Sequence, residues 1–485
     1  MKELRINLVA PCKQLFPPVR LFLPHLGLAY LSSYLKKHLS TKLEISYIMF
    51  HPLEFGILRR ITSNNPDIIG FSSDTADINT IFNIAQKIKE TKNVPLILGG
   101  THITAAPETL SKYIDIGVVR EGEQTFLELI KIFIENKRFN VPALEDIKGI
   151  CFYKDNNIYV TNNREEVKDI DSIPYPDRAI FKLEKELNTP YLFYPVEKFC
   201  GTSMLTSRGC PYHCIFCQTQ VRWKSVRFNS AEYVVGEIEL LRKMYPKINL
   251  ISIVDDLFLI NRPRLEKIVS LIKKKDLDKG LSFVINGRAD VVNEEVLELL
   301  KLMNVVEMAY GFESGSERIL KLLKNNTVTV GDNQRACDLT NKFGIKVSGL
   351  FIFGTPGETR EDMEMTVDFI KRNRFSRINT AVATPLPRTL LWQMAKEQGF
   401  ISEGQNMDWS KFAVSYGVSG VNIYINKNIP EKDFIKLMHR IQKLRNNINH
   451  PIGLLHYSTY LFWLKILNKL KRTFIHLKAI SYNKV

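Results

Sequence analysis

The chain has 485 residues, 45% hydrophobic and 24% charged, so it holds apolar material for more than one packed core and lacks the bias of a disordered or fibrous protein. Its formal net charge is +16, and from Glu431 onwards eleven Lys or Arg stand against Glu431 and Asp433, which concentrates the basic excess at the C-terminal end. Seven cysteines in so long a chain do not make a disulfide framework, no apolar run is long enough to span a bilayer, and MKELRINLVAP lacks a secretory leader pattern; a cytoplasmic location is expected.

Residues 4 to 135 alternate the apolar runs LRINLVAP, LEISYIMF, DIIGFSS, VPLILGG and IDIGVVR with amphipathic stretches at 25 to 38, 76 to 90 and 125 to 135. This α/β alternation predicts a doubly wound parallel sheet with helices on both faces, whose ligands sit over the carboxyl ends of the strands. Three of those ends carry small residues: Ser72 and Ser73, GGTHIT from Gly99 to Thr104, and REGE from Arg120 to Glu123. Glycines let backbone approach a bulky ligand, and hydroxyls beside them donate without crowding it. The competing reading makes Gly99 and Gly100 simple strand punctuation and His102 a satisfied loop histidine.

GICFYKDNNIYVTN, 149 to 162, predicts a hairpin turning at Asp155, Asn156 and Asn157. We divide the chain into a first domain at 1–165, a polar, proline-bearing linker at 166–195, a second domain at 196–400 and a basic, mainly helical region at 401–485. In the second domain SMLTSRG, INLISIVDD, SFVINGRAD, EMAYGFES, IKVSGLFIFG and INTAVATPLP are strand-like and separated by helical stretches. Six β-α units predict a parallel, barrel-like sheet with its site at the strand carboxyl ends.

The first of these strands leads into LTSRGCPYHCIFC, where Cys210, Cys214 and Cys217 form a C-x3-C-x2-C array. Three thiolates on one loop can hold a 4Fe-4S cluster and leave one iron open to another ligand. Zinc is the poorer alternative, because His213 adjoins Cys214 and the spacing is not that of a zinc finger. Later strand ends bring Asp255 and Asp256, Arg288 in NGRAD, Glu313 and Ser314 in YGFESGS, Gly354 in FIFGTPGET, and Thr384 in TPLPRT. Read structurally, the aspartates would be helix caps, Arg288 and Glu313 an ion pair, and Glu358 a cap for the helix after FIFGTPGET.

The cysteine loop, with Phe216 before its last cysteine, matches the radical S-adenosylmethionine motif. Taken with PHLGLAYLSSYL, LGGTHIT and VVREGEQTF, the chain resembles the cobalamin-dependent radical S-adenosylmethionine enzymes, in which a Rossmann-like B12-binding domain precedes a partial (β/α)6 barrel. It departs from their usual pattern at His25, Thr101, Val119 and Arg120, places Arg388 where glycine is usual, and has no D-x-H-x-x-G motif. The resemblance implies a 4Fe-4S cluster on Cys210, Cys214 and Cys217, which serve as metal ligands and catalytic electron path. It implies S-adenosylmethionine near Phe216, Asp255, Asp256, Arg288, Glu313, Ser314, Gly354 and Thr384. It also implies cobalamin against Leu26, Gly27, Ser72, Gly99, Gly100, Thr101, His102, Glu121, Gly122 and Glu123.

The activity implied is methyl transfer to an unactivated carbon, with oxidation or cyclisation without methyl transfer as the alternative and a cobalamin sensor with a structural cluster as a distant one. A small-molecule or lipid-like substrate and a reducing partner such as flavodoxin or ferredoxin go with it. In the tail, Tyr460, Trp463, Leu467, Leu470 and Phe474 share one helical stripe and Lys465, Lys469 and Arg472 another, a pattern that suits either an anionic membrane surface or packing over the barrel. No base-reading motif is present, and no nucleic-acid partner is expected.

Overall fold

The structure is a computed structural model that describes residues 3–12, 24–51, 54, 56–181, 200–402, 407–414 and 423–449. The amphipathic stripe around Trp463 lies outside the described residues.

The first unit runs β1 (Leu4–Pro11), α1 (Leu26–His38), β2 (Leu43–Phe50), α2 (Ile57–Thr62), β3 (Ile68–Ser72), α3 (Ile78–Lys89), β4 (Leu96–Gly99), α4 (Thr101–Ala105), β5 (Ile116–Val118), α5 (Glu123–Asn136), α6 (Val141–Glu145), β6 (Ile150–Lys154) and β7 (Asn157–Val160). Its strands lie in the order 2-1-3-4-5-6-7, with β1 to β5 parallel. Neighbouring residues of one strand enter opposite cores. Leu8 and Ile68 pack with Leu28, Phe126 and Ile130, while Val9 and Ile69 pack with Ile81 and Ile88. Burial on both faces is why these runs are continuously apolar rather than alternating. The order reverses between β1 and β3, which opens a crevice at the carboxyl ends of the strands.

The predicted hairpin forms at Asp155 and Asn156, whose φ values of 48° and 63° give the paired left-handed geometry of a tight turn. It extends the main sheet, because β6 pairs antiparallel with β5.

The second unit runs β8 (Gly201–Met204), β9 (Ser207–Arg208), α7 (Thr219–Arg222), β10 (Arg227–Phe228), α8 (Ala231–Met244), β11 (Leu250–Ile253), α9 (Arg262–Lys274), β12 (Ser282–Gly287), α10 (Glu294–Leu302), β13 (Val305–Glu313), α11 (Glu317–Leu323), α12 (Val330–Lys342), β14 (Lys346–Phe353), α13 (Arg360–Arg372), β15 (Arg377–Val382), α14 (Leu390–Glu397) and α15 (Glu431–Asn449). Strands 8, 11, 12, 13, 14 and 15 form one six-stranded parallel sheet in that order, the partial barrel expected. Its helices begin on polar caps. Ser230, Asn261, Asn293, Ser316, Thr329, Thr359 and Thr389 each accept from the backbone N–H three residues on. A capped start pins each helix at a set distance from its strand, and so sets the loop between them.

A short segment ahead of the barrel is tied to both units. Asp177 accepts from Ser32 Oγ and Lys36 Nζ of α1, each at 2.6 Å. Next to it, Arg178 donates to Glu237 of α8 at 2.6 Å and to Thr202 of β8 at 3.2 Å, with the two paired side chains only 3% and 1% exposed. Removing one member of such a pair strands the other charge in the core. Arg178→Met is expected to lower stability by about 3 kcal/mol in urea unfolding, more than any of the exposed ion pairs would cost.

Candidate active site between the two sheets

The cysteine loop is held at its root by Asp255. The carboxylate accepts from Thr206 N at 2.6 Å, Thr206 Oγ1 at 2.5 Å and Ser207 Oγ at 2.7 Å, and it is fully buried. Burial raises its pKa against the pull of those donors. Asp255 is expected near S-adenosylmethionine; the structure makes it the anchor of β9, with both oxygens engaged by Thr206 and Ser207. Beyond β9, Gly209 takes a φ of 90°, and a Cβ there would come within 2.4 Å of Ser225 O, so only glycine fits before Cys210. Ile215 N donates to Leu323 O at 3.1 Å and Leu391 N to Ile215 O at 2.9 Å, which sews the loop to α11 and α14.

Cys210, Cys214 and Cys217 are free and partly exposed. Thr219 N donates to Cys217 Sγ at 3.4 Å, and Arg288 Nη1 lies 3.7 Å from Cys214 Sγ. Burial pushes the Cys210 thiol up to about 11 and raises that of Cys214, where Lys324 and Arg288 oppose it. Among the described residues, no group of three or more His, Cys, Asp or Glu is arranged to hold one metal ion. A four-iron cluster, by contrast, gives each thiolate its own iron, so this donor set suits a cluster rather than a single tetrahedral zinc.

The other barrel residues divide into those that face the loop and those that shape the backbone. Asp256 faces it, with Oδ1 3.4 Å from Thr219 Oγ1 and 3.5 Å from Arg222 Nη2. Arg288 lies over the Tyr212 ring, 3.5 Å from its centroid, and donates to Asp290 at 2.7 Å and Thr327 at 2.5 Å. It forms no pair with Glu313, which binds Lys324 at 2.9 Å with both side chains 8% exposed; Phe216 stands 5.8 Å from that lysine. Ser314 is buried on Thr366 Oγ1 at 3.1 Å, and Thr384 donates to Val382 O at 3.0 Å. Gly354, at φ 81°, donates its N–H to Glu358 Oε2 at 2.6 Å. Glu358 therefore folds back on its own loop, and Thr359 caps the helix in a capping box with Asp362. Ser314, Gly354 and Thr384 build the loops and offer no free polar side chain to a ligand.

Between the two sheets lies a solvent-open cleft of about 250 Å³. Gly27, Ser72, Gly99, Gly100, Thr101, Glu121, Gly122 and Glu123 line it from the first unit, over apolar walls that include Leu8, Leu28 and Phe126. Leu205, Arg208, Arg222 and Trp223 line it from the barrel. A Cβ on Gly27 would meet nothing nearer than 3.7 Å and one on Gly99 nothing nearer than 3.9 Å, so their hydrogens leave room in the cleft itself. Gly100 is glycine for another reason: at φ 109° a Cβ would strike Ser73 O at 2.3 Å. An open, apolar, glycine-floored cleft suits a large planar cofactor such as cobalamin.

Four of the residues expected there have other roles. Leu26 is in the core. His102 is wholly buried, with Nδ1 3.4 Å from Thr75 Oγ1, Nε2 3.0 Å from Thr109 Oγ1 and Trp409 edge-on at 4.7 Å, so both ring nitrogens are engaged away from the cleft. Glu121 and Glu123 border the cleft, yet their carboxylates hold the barrel. Arg208 donates to each at 2.6 Å, and Arg227 donates to Glu121 at 2.9 Å. Burial would raise the Glu121 carboxyl, but the two arginines outweigh it and hold it below the ordinary carboxylate range. Sequence reasoning missed Arg208, Arg227, Arg222, Trp223 and Lys324. Arg208 stands two residues before Cys210, and that proximity was the available signal.

Glu121→Gln leaves two buried guanidiniums sharing one fewer anion, and should lower stability by about 3 kcal/mol in urea and reduce cobalamin retained per chain. His102 has a second, pH-dependent consequence. Burial lowers its pKa from 6.5 to about 4, so the folded chain refuses a proton that the unfolded chain accepts. Stability should fall as pH drops from 6.5 toward 4, by up to about 3 kcal/mol, and His102→Gln should flatten that part of the curve.

Residues 204–370 match the Radical SAM superfamily and residues 18–130 the B12 binding domain. Over 397 residues the chain is 31% identical to an uncharacterized methyltransferase of Pyrococcus horikoshii, covering 80% of this chain and 81% of the relative. Over 378 residues it is 29% identical to the anaerobic magnesium-protoporphyrin IX monomethyl ester cyclase of Rubrivivax gelatinosus, covering 76% of this chain and 66% of that relative. Its fold is similar to that of the radical S-adenosylmethionine methyltransferase TsrM from Kitasatospora setae, solved with cobalamin and a 4Fe-4S cluster bound, with a TM-score of 0.69, 16% identity, and 90% and 91% of the two chains covered. With a barrel segment that adjoins the cysteine loop on one side of the cleft, a B12-type sheet on the other and this kinship across both, the chain belongs to the cobalamin-dependent radical S-adenosylmethionine enzymes.

Proposed function

We propose that the enzyme transfers a methyl group to an unactivated carbon of a small molecule held between its two cofactor sites. The observation that carries this is the cleft bordered both by the cobalamin-type strand ends and by the barrel segment that adjoins the cysteine loop. Kinship to a methyltransferase over four-fifths of each chain supports the same reaction class.

When bound, the cofactors supply reductive cleavage of S-adenosylmethionine and methyl carriage, and the protein supplies position and dryness. Cys210, Cys214 and Cys217 hold the cluster. Asp256, beside Thr219 and the loop, is the carboxylate placed to meet the positive charge of S-adenosylmethionine. Lys324 and Arg288 put two cations near Cys214, offsetting the charge of thiolate ligands. Gly27, Gly99 and Gly122 floor the corrin site, and Leu8, Leu28 and Phe126 keep water from its inner end. Electrons come from a one-electron donor of the flavodoxin or ferredoxin class. Among the described residues, no helix is long and apolar enough to cross a membrane.

The test is anaerobic reconstitution with iron, sulfide and hydroxocobalamin, then reduction with S-adenosylmethionine. Formation of both 5′-deoxyadenosine and S-adenosylhomocysteine is expected, the second dependent on cobalamin, and Cys210→Ala, Cys214→Ala or Cys217→Ala should bring 5′-deoxyadenosine to background. The cyclase among its relatives makes a reaction without methyl transfer the second reading. Cobalamin-dependent 5′-deoxyadenosine with no S-adenosylhomocysteine would favour it.

A further inference from the structure

α7, which directly follows the cysteine loop, packs against α4 of the first unit. That contact sets Arg222 where the two cofactor sites meet. Its side chain lines the cleft and is 34% exposed, and its Nη2 lies 3.5 Å from both Asp256 Oδ1 and Thr219 Oγ1. Thr219 in turn touches Cys217 Sγ, so Arg222 is two contacts from a cluster cysteine. Its Nε is buried with no hydrogen-bond partner. The neighbouring Arg208 differs, since Glu121 and Glu123 engage it, and Arg227, held by Glu121 through Nη1 with its Nε and Nη2 buried without a hydrogen bond, is not among the residues that line the cleft.

Arg120 lines the same cleft from the loop after β5. Its backbone, at φ 69°, is held by Thr104 Oγ1, which accepts from Arg120 N at 2.9 Å and belongs to the helix that packs on α7. Its Nη1 is buried without a partner, and among the described residues no carboxylate pairs with it. Unsatisfied guanidinium N–H groups in a partly dry cleft are costly, and a planar or tetrahedral oxyanion is the ligand that satisfies them best.

We propose that Arg222 and Arg120 form the anion-binding end of the substrate site, so that the substrate carries a carboxylate, phosphate or phosphonate. This rests on the reading that the substrate lies between the two cofactors. Two other oxyanions could reach these arginines: the phosphodiester of cobalamin and the carboxylate of S-adenosylmethionine. Cobalamin retention and affinity for S-adenosylmethionine in the arginine variants distinguish those two sources from the substrate.

The experiment uses the full chain, reconstituted anaerobically with cluster and hydroxocobalamin, and ligand-observed NMR titrations with methylphosphonate, acetate and neutral N-methylacetamide. Both anions should bind and the amide should not. Arg222→Gln and Arg120→Gln should each weaken anion binding about tenfold, with Arg222→Lys recovering part of the loss. Cobalamin per chain and thermal midpoint should stay at the wild-type level, and affinity for S-adenosylmethionine should not fall, since the loss of Arg222 removes a competing cation from Asp256. The proposal is overturned if the variants bind the anions as well as wild type, if the amide binds equally, if cobalamin is lost, or if affinity for S-adenosylmethionine falls instead. Failure of the parent reading shows separately, as wild-type protein that retains no cobalamin or makes no 5′-deoxyadenosine. The anion titrations still report on the arginines in that case, because protein atoms alone form the cleft.

Discussion

Arg208, Arg227, Glu121 and Glu123 make a buried ionic cluster across the joint between the two sheets, with every side chain under one-tenth exposed. Charges taken out of water this way persist only when each has its counter-ion and its hydrogen bonds, so the cluster tolerates very little relative movement of its members. Arg208 precedes Cys210 by two residues, and Glu121 and Glu123 flank Gly122 on the floor of the cleft. The cysteine loop and the cobalamin-type loop are therefore one mechanical unit. Trp223, with Arg208 and Arg227 each 5.5 Å from its ring, fills the space beside them and presents its surface to the cleft.

Polar side chains elsewhere in the barrel follow the same logic of satisfaction. Asp255 holds the start of β9, Glu358 holds the turn at Gly354, and Thr389 starts α14. Each spares the barrel a loop end with unpaired backbone groups. What remains unsatisfied is then informative. Arg227 and Arg264 also keep buried guanidinium nitrogens without a hydrogen bond, but those of Arg120 and Arg222 belong to side chains that line the cleft.

Arg388 shows how backbone geometry decides a residue preference. The resemblance implies glycine there, and the structure places the position at φ 63°, in the left-handed region that glycine enters without a Cβ clash. The arginine side chain is exposed and 3.7 Å from Glu108 of the first unit. An exposed pair at that distance contributes little.

The amino-acid pattern by itself determined the two parallel sheets, the hairpin and the position of the cysteine loop. Each is a local matter: continuous apolar runs mean strands buried on both faces, Asp155 and Asn156 accept left-handed turns, and three cysteines within eight residues need no folding to be near one another. Roles at the strand ends were only half legible. Residue type and register place Asp255, Asp256, Glu121 and His102 at carboxyl ends, but which way a carboxylate or imidazole turns depends on partners far away in the chain. Asp255 is claimed by Thr206 and Ser207, 49 and 48 residues away, and Glu121 by Arg208 and Arg227, 87 and 106 residues away. Only the tertiary structure could decide those pairings, because desolvation and ion pairing act through space, and the same residue is a ligand contact or a structural anchor according to which charge is packed beside it.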